Sequence, residues 1–149
     1  MPLDAVLQTV LGLLGPQALA GGITLDCPIL DDRAAVLADA QRLRQALTNL
    51  LCNAIKYSRP GGAVQVSAVC CGGRWQIAVR DTGLGMDDGQ LARLFNAFER
   101  VGRETSGIAG SGLGLLLSRG GVRAMGGDIS VTSQPGVGSV FTVDLPAAP

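Results

Sequence analysis

Between Leu43 and Ser58 the chain reads LRQALTNLLCNAIKYS, and no other stretch limits the possible folds as tightly. Leu43, Ala46, Leu47, Leu50, Leu51, Ala54 and Ile55 recur at steps of three and four. At about 100° per residue that is the apolar stripe of an amphipathic helix. Beside it runs a second stripe of Gln45, Asn49, Asn53 and Lys56, with Tyr57 at its edge. An ordinary solvated face mixes Glu, Lys and Arg. This one carries two amides one turn apart, and Asn in mid-helix costs some stability. Two readings stand side by side. The amides are tolerated surface residues, or they are neutral oxygen ligands beside a cation and a ring. The second arrangement suits a magnesium-bound nucleotide, because magnesium takes few protein oxygens and leaves the rest to phosphates and water.

The surrounding chain supplies partners for that helix. Leu3 to Leu14 has helical apolar spacing, with Gly15-Pro16 expected to interrupt it and Gly21-Gly22 to end the region. Ile23 to Leu30 alternates as a strand, Asp31-Asp32-Arg33 is a turn, and Val36-Leu37-Ala38 is a short strand. Asp39 is the expected N-cap of the amide helix, and Ser58-Arg59-Pro60-Gly61-Gly62 its stop. Ala63 to Cys71 and Arg74 to Arg80 form a hairpin about Gly72-Gly73. A helix is expected from Asp87 to Asn96, then an irregular segment from Arg100 to Gly110. A helix from Gly112 to Met125 follows, ended by Gly126-Gly127. Asp128 to Ser133 and Val140 to Leu145 are strands about Gln134–Gly138. Strands in antiparallel pairs, rather than in strict alternation with helices, predict an α+β fold with one mixed sheet covered on one face.

Composition narrows the chemistry. The 149 residues fit one domain spanning 1–149, and 47% apolar content is enough for a core. Lys+Arg and Asp+Glu are equal at 12 each, which argues against a nucleic-acid surface. No apolar run reaches the roughly 18 residues of a membrane helix, and no basic patch precedes the first apolar residues as in a signal peptide. Cys27, Cys52, Cys70 and Cys71 fit no zinc spacing and are read as reduced, buried cysteines of a cytosolic protein. The chain has no histidine, which excludes a Ser-His-Asp hydrolase, a Cys-His protease and a His-ligated metal centre. A mechanism here runs on carboxylates, amides, Lys, Arg and backbone.

Two glycine stretches remain, Asp81-Thr82-Gly83-Leu84-Gly85-Met86 and Gly110-Ser111-Gly112-Leu113-Gly114. Neither is a Walker loop or a dinucleotide fingerprint, and the motif set of eukaryotic-type protein kinases is missing. Asp81-Thr82-Gly83 matches the short tripeptide of aspartic proteases, which would need a dimer to pair two carboxylates. A nucleotide site uses more of the pieces. Asp81 ends an apolar strand, so a half-buried carboxylate there suits the amino group of adenine. Gly83 and Gly85 let a ligand approach the backbone. Ser111 to Gly114 open a helix whose N–H groups and dipole attract phosphate. The Arg100–Gly110 segment has the length of a lid, with Arg100 and Arg103 facing outer phosphates.

With these residues in view, the chain resembles the ATP-binding catalytic domain of bacterial sensor histidine kinases, within the gyrase, Hsp90 and MutL-type ATPase superfamily. The similarity spans Leu3 to Pro146. Asn49–Ser58 is similar to that family's N box and Asp81–Met86 to its first glycine box. Leu94–Arg100 is similar to its phenylalanine box and Gly110–Leu115 to its second glycine box. Four motifs in family order are far more specific than any one.

The resemblance implies a two-layer α/β sandwich, the Bergerat ATP-binding fold, with a mixed sheet of about five strands and three main helices. It implies ATP and magnesium as cofactors, with Asn53 ligating the metal and Asn49 supporting the metal or the phosphates. Lys56 and Arg100 would contact phosphate, Tyr57 would lie near adenine, and Asp81 would bind its amino group. Gly83, Gly85, Met86 and Phe98 would line the nucleotide, Phe95 and Phe98 would anchor the lid, and Gly110, Ser111, Gly112, Leu113 and Gly114 would cradle phosphate. In the hydrolysing branches a glutamate precedes the magnesium asparagine by four residues. Asn49 stands there and cannot act as a base, so hydrolysis alone is expected to be slow. The family's phosphoacceptor is a histidine on a helical dimerisation domain, and a response regulator follows it. The chain is therefore expected to be a cytoplasmic fragment of a longer kinase, acting on that domain in cis or in trans, with no nucleic-acid or membrane contact of its own. A nucleotide-sensing module without phosphotransfer is the remaining alternative. Gly120-Gly121 departs from the family's bulkier residues and is expected to bend or fray its helix.

Overall fold

The computed structural model describes residues 2–27, 35–36, 39–89 and 111–147, with only the backbone described for Tyr57 and residues 111–117. Its described elements run α1 (Leu3–Ala20), β1 (Thr24–Asp26), α2 (Ala40–Tyr57), β2 (Ala63–Cys71), β3 (Arg74–Asp81), α3 (Ser111–Ala124), β4 (Asp128–Gln134) and β5 (Gly138–Pro146). The five strands form one sheet in the order β1-β2-β3-β5-β4. β1 pairs with β2 in parallel, and every other pair is antiparallel. The result is a mixed sheet under a helical layer, as the pairing of strands predicts.

The amide helix is the middle of that layer. α2 packs on α1, on α3 and on strands β2 and β3. All seven residues of its predicted apolar stripe are buried, and Leu43, Leu47, Leu50 and Leu51 are fully so. Each such leucine contributes about 2 kcal/mol of burial free energy. The Asp39 carboxylate accepts from the backbone N–H of Gln41 at 2.9 Å and of Arg42 at 3.1 Å, which satisfies two otherwise orphaned donors of the first turn. The helix stops at Ser58, as the Pro-Gly-Gly signal requires.

On the sheet, Val64 and Val66 of β2, Ile77, Val79 and Asp81 of β3, and Phe141, Val143 and Leu145 of β5 are buried at alternate positions. They therefore share the face that meets the helices. Arg74 ties the β2–β3 hairpin to the other end of the sheet. Its Nε lies 3.0 Å from both Asp144 oxygens, and its Nη2 donates to the Gly126 carbonyl at 2.8 Å.

Several expectations need correction. α1 runs through Gly15-Pro16 to Ala20. Pro16 removes one helical bond, but both it and Gly12, the residue that would accept, are exposed to water. Leu14 and Ala18 are buried on either side and hold the helix together. By length and composition alone α1 could cross a membrane, with a mean hydropathy of 1.3. In this fold its stripe from Leu3 to Ala18 is buried and it packs on α2 and β1, as a core helix does. Cys27 and Cys52 are half-buried, but Cys70 and Cys71 are exposed, because β2 outruns the core near its hairpin tip. α3 continues through Gly120-Gly121 without a break in its helical bonding. Of the 28–34 and 37–38 expectations nothing lies within the described residues. The helix expected from Asp87 is described only at residues 88–89, which are helical.

Candidate functional site at the α2–α3 seam and the end of β3

Two contacts fix how α2 and α3 lie together. The backbone N–H of Asp39, just before α2, is 3.2 Å from the Met125 sulfur, just after α3. Ten residues on, the Asn49 Nδ2 donates to the Ser118 hydroxyl at 2.9 Å. The start of α2 meets the end of α3, so the two helices are antiparallel. With an equal rise per residue, Asn53 is level with Gly114 and Lys56 with Ser111. The C-terminal turns of the amide stripe thus reach the N-terminal turn of α3, where unpaired N–H groups and the helix dipole concentrate positive potential.

Along this seam Asn49 and Asn53 are half-buried and Lys56 is exposed. Asn49 is committed to Ser118, which is only 3% exposed. Asn53 makes no side-chain hydrogen bond among the described residues. The Ser58 hydroxyl, at the C-cap of α2, is buried and has no partner among the described residues. Unsatisfied polar atoms at one end of a helix fit a polar ligand that would complete them.

Asp81 stands at the end of β3 on the helix-facing side of the sheet, 6% exposed. Its carboxylate accepts from the Gly83 N–H at 2.9 Å. Burial pushes the Asp81 carboxyl above the usual range, opposed by the backbone N–H groups of Gly83 and Ser139. The loop after it is pinned to the β4–β5 turn. The Met86 N–H donates to the Ser133 hydroxyl at 2.7 Å, and the Gly136 N–H to the Leu84 carbonyl at 2.8 Å. The Ser133 hydroxyl also donates to the Gly138 carbonyl at 3.1 Å and lies 2.7 Å from the Ser139 hydroxyl. Two glycines make this approach possible. A Cβ on Gly85, whose φ is 70°, would sit 2.0 Å from the Gln134 carbonyl, and one on Gly138 would meet the Asp81 carbonyl at the same distance. Thr82 stitches the loop to the start of β2, where its Oγ1 accepts from the Ala63 N–H at 3.1 Å.

A cavity of about 380 Å³ opens at this end of the sheet. Asp81, Ser133 and Ser139 bound it, together with Arg80, Thr132 and Val140 of the face away from the helices. Asn49, Asn53 and Lys56 do not line it. What Asp81 shares with the amides is its side of the sheet, since α2 packs on β3. Of the other predicted site residues, Gly83 is buried and Gly85 and Met86 are half-buried in the pinned loop. Ser111, Gly112, Leu113 and Gly114 form the opening of α3, and Tyr57 closes α2. Phe95, Phe98, Arg100, Arg103 and Gly110 lie outside the described residues.

The sequence profile of the family described as histidine kinase-, DNA gyrase B-, and HSP90-like ATPase matches residues 38–149. The chain belongs to this family. It is 37% identical over 142 residues to Sensor protein TorS of Escherichia coli (strain K12), covering 95% of this chain and 15% of that protein. It is 41% identical over 117 residues to Sensor histidine kinase RcsC of the same strain, covering 78% of this chain and 12% of that one. The structure of full-length ShkA in complex with AMPPNP matches with a TM-score of 0.78 and 32% identity, over 99% of this chain and 31% of that one. This member of the HSP90-like ATPase family thus corresponds to a small part of each relative.

Within that family the aspartic protease reading of Asp81-Thr82-Gly83 has no place. Asp81 and Gly83 bond to each other, and Thr82 bonds to Ala63 at the start of β2. Sequence reasoning missed Ser118, Ser133 and Ser139. All three are polar residues at positions whose spacing belongs to the core. Ser118 precedes buried Val122 by one turn, and Ser133 and Ser139 continue the inward rows of Ile129 and of Phe141. That breach of an apolar row is the signal that could have found them.

Proposed function

We propose that the chain is the nucleotide-binding catalytic domain of a two-component sensor kinase, a single unit over 1–149. It binds magnesium-ATP and donates the γ-phosphoryl group to a histidine on a separate dimerisation domain. The observation that carries this reading is the antiparallel seam fixed by Asn49 and Ser118, which aligns Asn53 and Lys56 with the opening of α3. Asp81 receives the adenine amino group, and Gly83, Gly85, Met86, Tyr57 and Phe98 enclose the ring. The N–H groups of Gly110 to Gly114, with Lys56 and Arg100, hold the phosphates.

The donor set fits the metal. Asn53 would offer magnesium a neutral oxygen, with the nucleotide's phosphates and water supplying the other ligands. Magnesium, when bound, neutralises phosphate charge. Asn49 and Asn53 carry no titratable proton and do not act as bases. They orient, and α3 and Lys56 stabilise charge, so catalysis is positioning plus electrostatics. In the transfer, the bond from the γ-phosphorus to its bridging oxygen breaks, a bond to an imidazole nitrogen forms, and ADP leaves. The full-length AMPPNP complex of ShkA supports nucleotide binding, and the relatives named as a sensor protein and a sensor histidine kinase support a histidine-bearing partner; an onward response regulator and a cytoplasmic site of action belong to the same proposal.

The test has two arms. Calorimetric titration with magnesium-AMPPNP is expected to show one site per chain that weakens in EDTA. Labelled ATP with a histidine-bearing dimerisation domain is expected to label that domain. Binding without labelling by any cognate domain would leave a nucleotide sensor, and no binding would remove the reading.

A further inference from the structure

The outer edge of β4 is open among the described residues. β4 stands last in the order β1-β2-β3-β5-β4 and pairs there with β5 alone. A strand so placed turns the N–H and C=O groups of every second residue away from its neighbour, where a further strand could bond them. Proteins usually blunt such an edge with a proline, a bulge, a lysine or a very short strand. The opposite edge strand, β1, has three residues. β4 has seven, and they pair one to one with β5, from Asp128 with Asp144 to Gln134 with Gly138, with no residue skipped. Ile129 to Gln134 contain no proline and no charge. The one charge, Asp128, sits at the start of the strand and bonds back to Arg119 and Arg123 of α3.

The side chains favour a second copy of the same strand. Ser130 and Thr132 are exposed on the face away from the helices, and Val131 is half-buried on the other. In a two-fold antiparallel pair, facing residues share a face of the sheet, so the axis must pass through a residue. Only an axis at Val131 engages all seven positions. There Asp128 faces Gln134 of the second copy, Ser130 faces Thr132, and Val131 faces Val131. No like charges meet, the hydroxyls can bond across the strands, and each valine covers the other. We propose that the β4 edge is a self-association surface, and that two copies of this chain join through antiparallel β4 strands into one continuous sheet. The contact is one strand long, so the dimer is weak. It stands independently of the nucleotide reading.

Sedimentation velocity of the 149-residue chain reads the association. Wild type is expected to pass from monomer toward dimer between about 5 µM and about 500 µM. Two double variants test the register. Ser130→Lys/Thr132→Lys sets lysine against lysine twice across the axis and is expected to weaken the dimer about tenfold. Ser130→Lys/Thr132→Glu sets lysine against glutamate twice and is expected to associate at least as tightly as wild type. Both positions are exposed, and thermal unfolding followed in parallel checks each fold. A wild type that stays monomeric throughout would overturn the proposal. So would a dimer that responds alike to both variants, because its contact would lie elsewhere. Should the lysine–lysine variant fail to fold, the other decides: a folded lysine–glutamate chain that associates more weakly than wild type overturns the proposal.

Discussion

The end of β3 and the seam between α2 and α3 are built to opposite rules. Around Asp81 the loop is pinned by several hydrogen bonds. Two backbone N–H groups meet the carboxylate, Ser133 takes the Met86 N–H, and the Gly85 backbone presses on the β4–β5 turn. At the seam the Asn49 amide bonds to Ser118, Asn53 has no side-chain bond among the described residues, and Lys56 is exposed. The difference matches two kinds of ligand part. A flat, rigid ring rewards a pocket shaped in advance, because nothing is then lost in ordering it. A metal-bound polyphosphate brings its own ligands and can complete a site left open.

The comparison breaks first at Asp81. Asp81→Asn keeps an acceptor for Gly83 but removes the charge that we propose holds the adenine amino group. Nucleotide affinity is expected to fall about 100-fold by calorimetry. Stability should not fall with it. The folded carboxyl titrates above its unfolded value, so the fold binds more protons than the unfolded chain between the two values. Stability is then lost as pH rises through the folded value, and at neutral pH the ionised group is a cost. The variant is expected to melt no lower than wild type at pH 7.

Gly85→Ala attacks the pinning itself. Its Cβ would collide with the Gln134 carbonyl at a φ that disfavours side chains, so the loop must lift off the turn. We expect about 2 kcal/mol of lost stability in denaturant melts, together with weakened nucleotide binding. Asn53→Ala sharpens the contrast from the other side. It is expected to cost about tenfold in magnesium-supported affinity and less than about 0.5 kcal/mol in stability, since no hydrogen bond within the described protein is lost. A large drop in its melting temperature would mean that the seam is as preassembled as the loop.

The parts of this arrangement differ in how plainly they were written in the sequence. The α2 stripe was legible because seven residues repeat with one period, and its cap and stop were legible because Asp39 and Pro60-Gly61-Gly62 act locally. Asp81 was legible as the end of an apolar strand. The pinning was not, because it joins Met86 to Ser133 across 47 positions, and a period carries no information about which turns meet in space. The same holds for Asn49 and Ser118, 69 positions apart. Pro16 misled because its local cost is real, while the burial of Leu14 and Ala18 that outweighs it belongs to the tertiary fold.

A smaller effect separates the ends of α3. At its C-terminal side the Asp128 Oδ1 accepts from Arg119 Nε at 2.9 Å, Arg123 Nε at 3.1 Å and the Ile129 N–H at 2.8 Å. Burial works to raise that carboxyl, but these bonds win and hold it down at about 2. A depressed value gives stability that is full above the unfolded value near 3.8 and is lost as pH falls toward 2. Asp128 is half-exposed, so water screens the pair and the loss is about 1 kcal/mol. Chemical denaturation at pH 5 and pH 3 should show the pH dependence shrink by that amount in Asp128→Asn.

The smallest change tests whether α3 must bend. Gly120 and Gly121 lie between Ser118 and Val122, which are both buried, yet a Cβ on either glycine would meet nothing within 4 Å. Packing therefore gives no reason for glycine, and each costs up to about 1 kcal/mol against alanine in a helix interior. Gly120→Ala and Gly121→Ala are each expected to raise the melting temperature by about 3 °C with nucleotide affinity unchanged. That outcome would confine the pliable part of the site to its ligand-facing end. A stabilised variant that binds nucleotide more weakly would instead mean that the open seam extends two turns into α3, and that the helix gives way when the site fills.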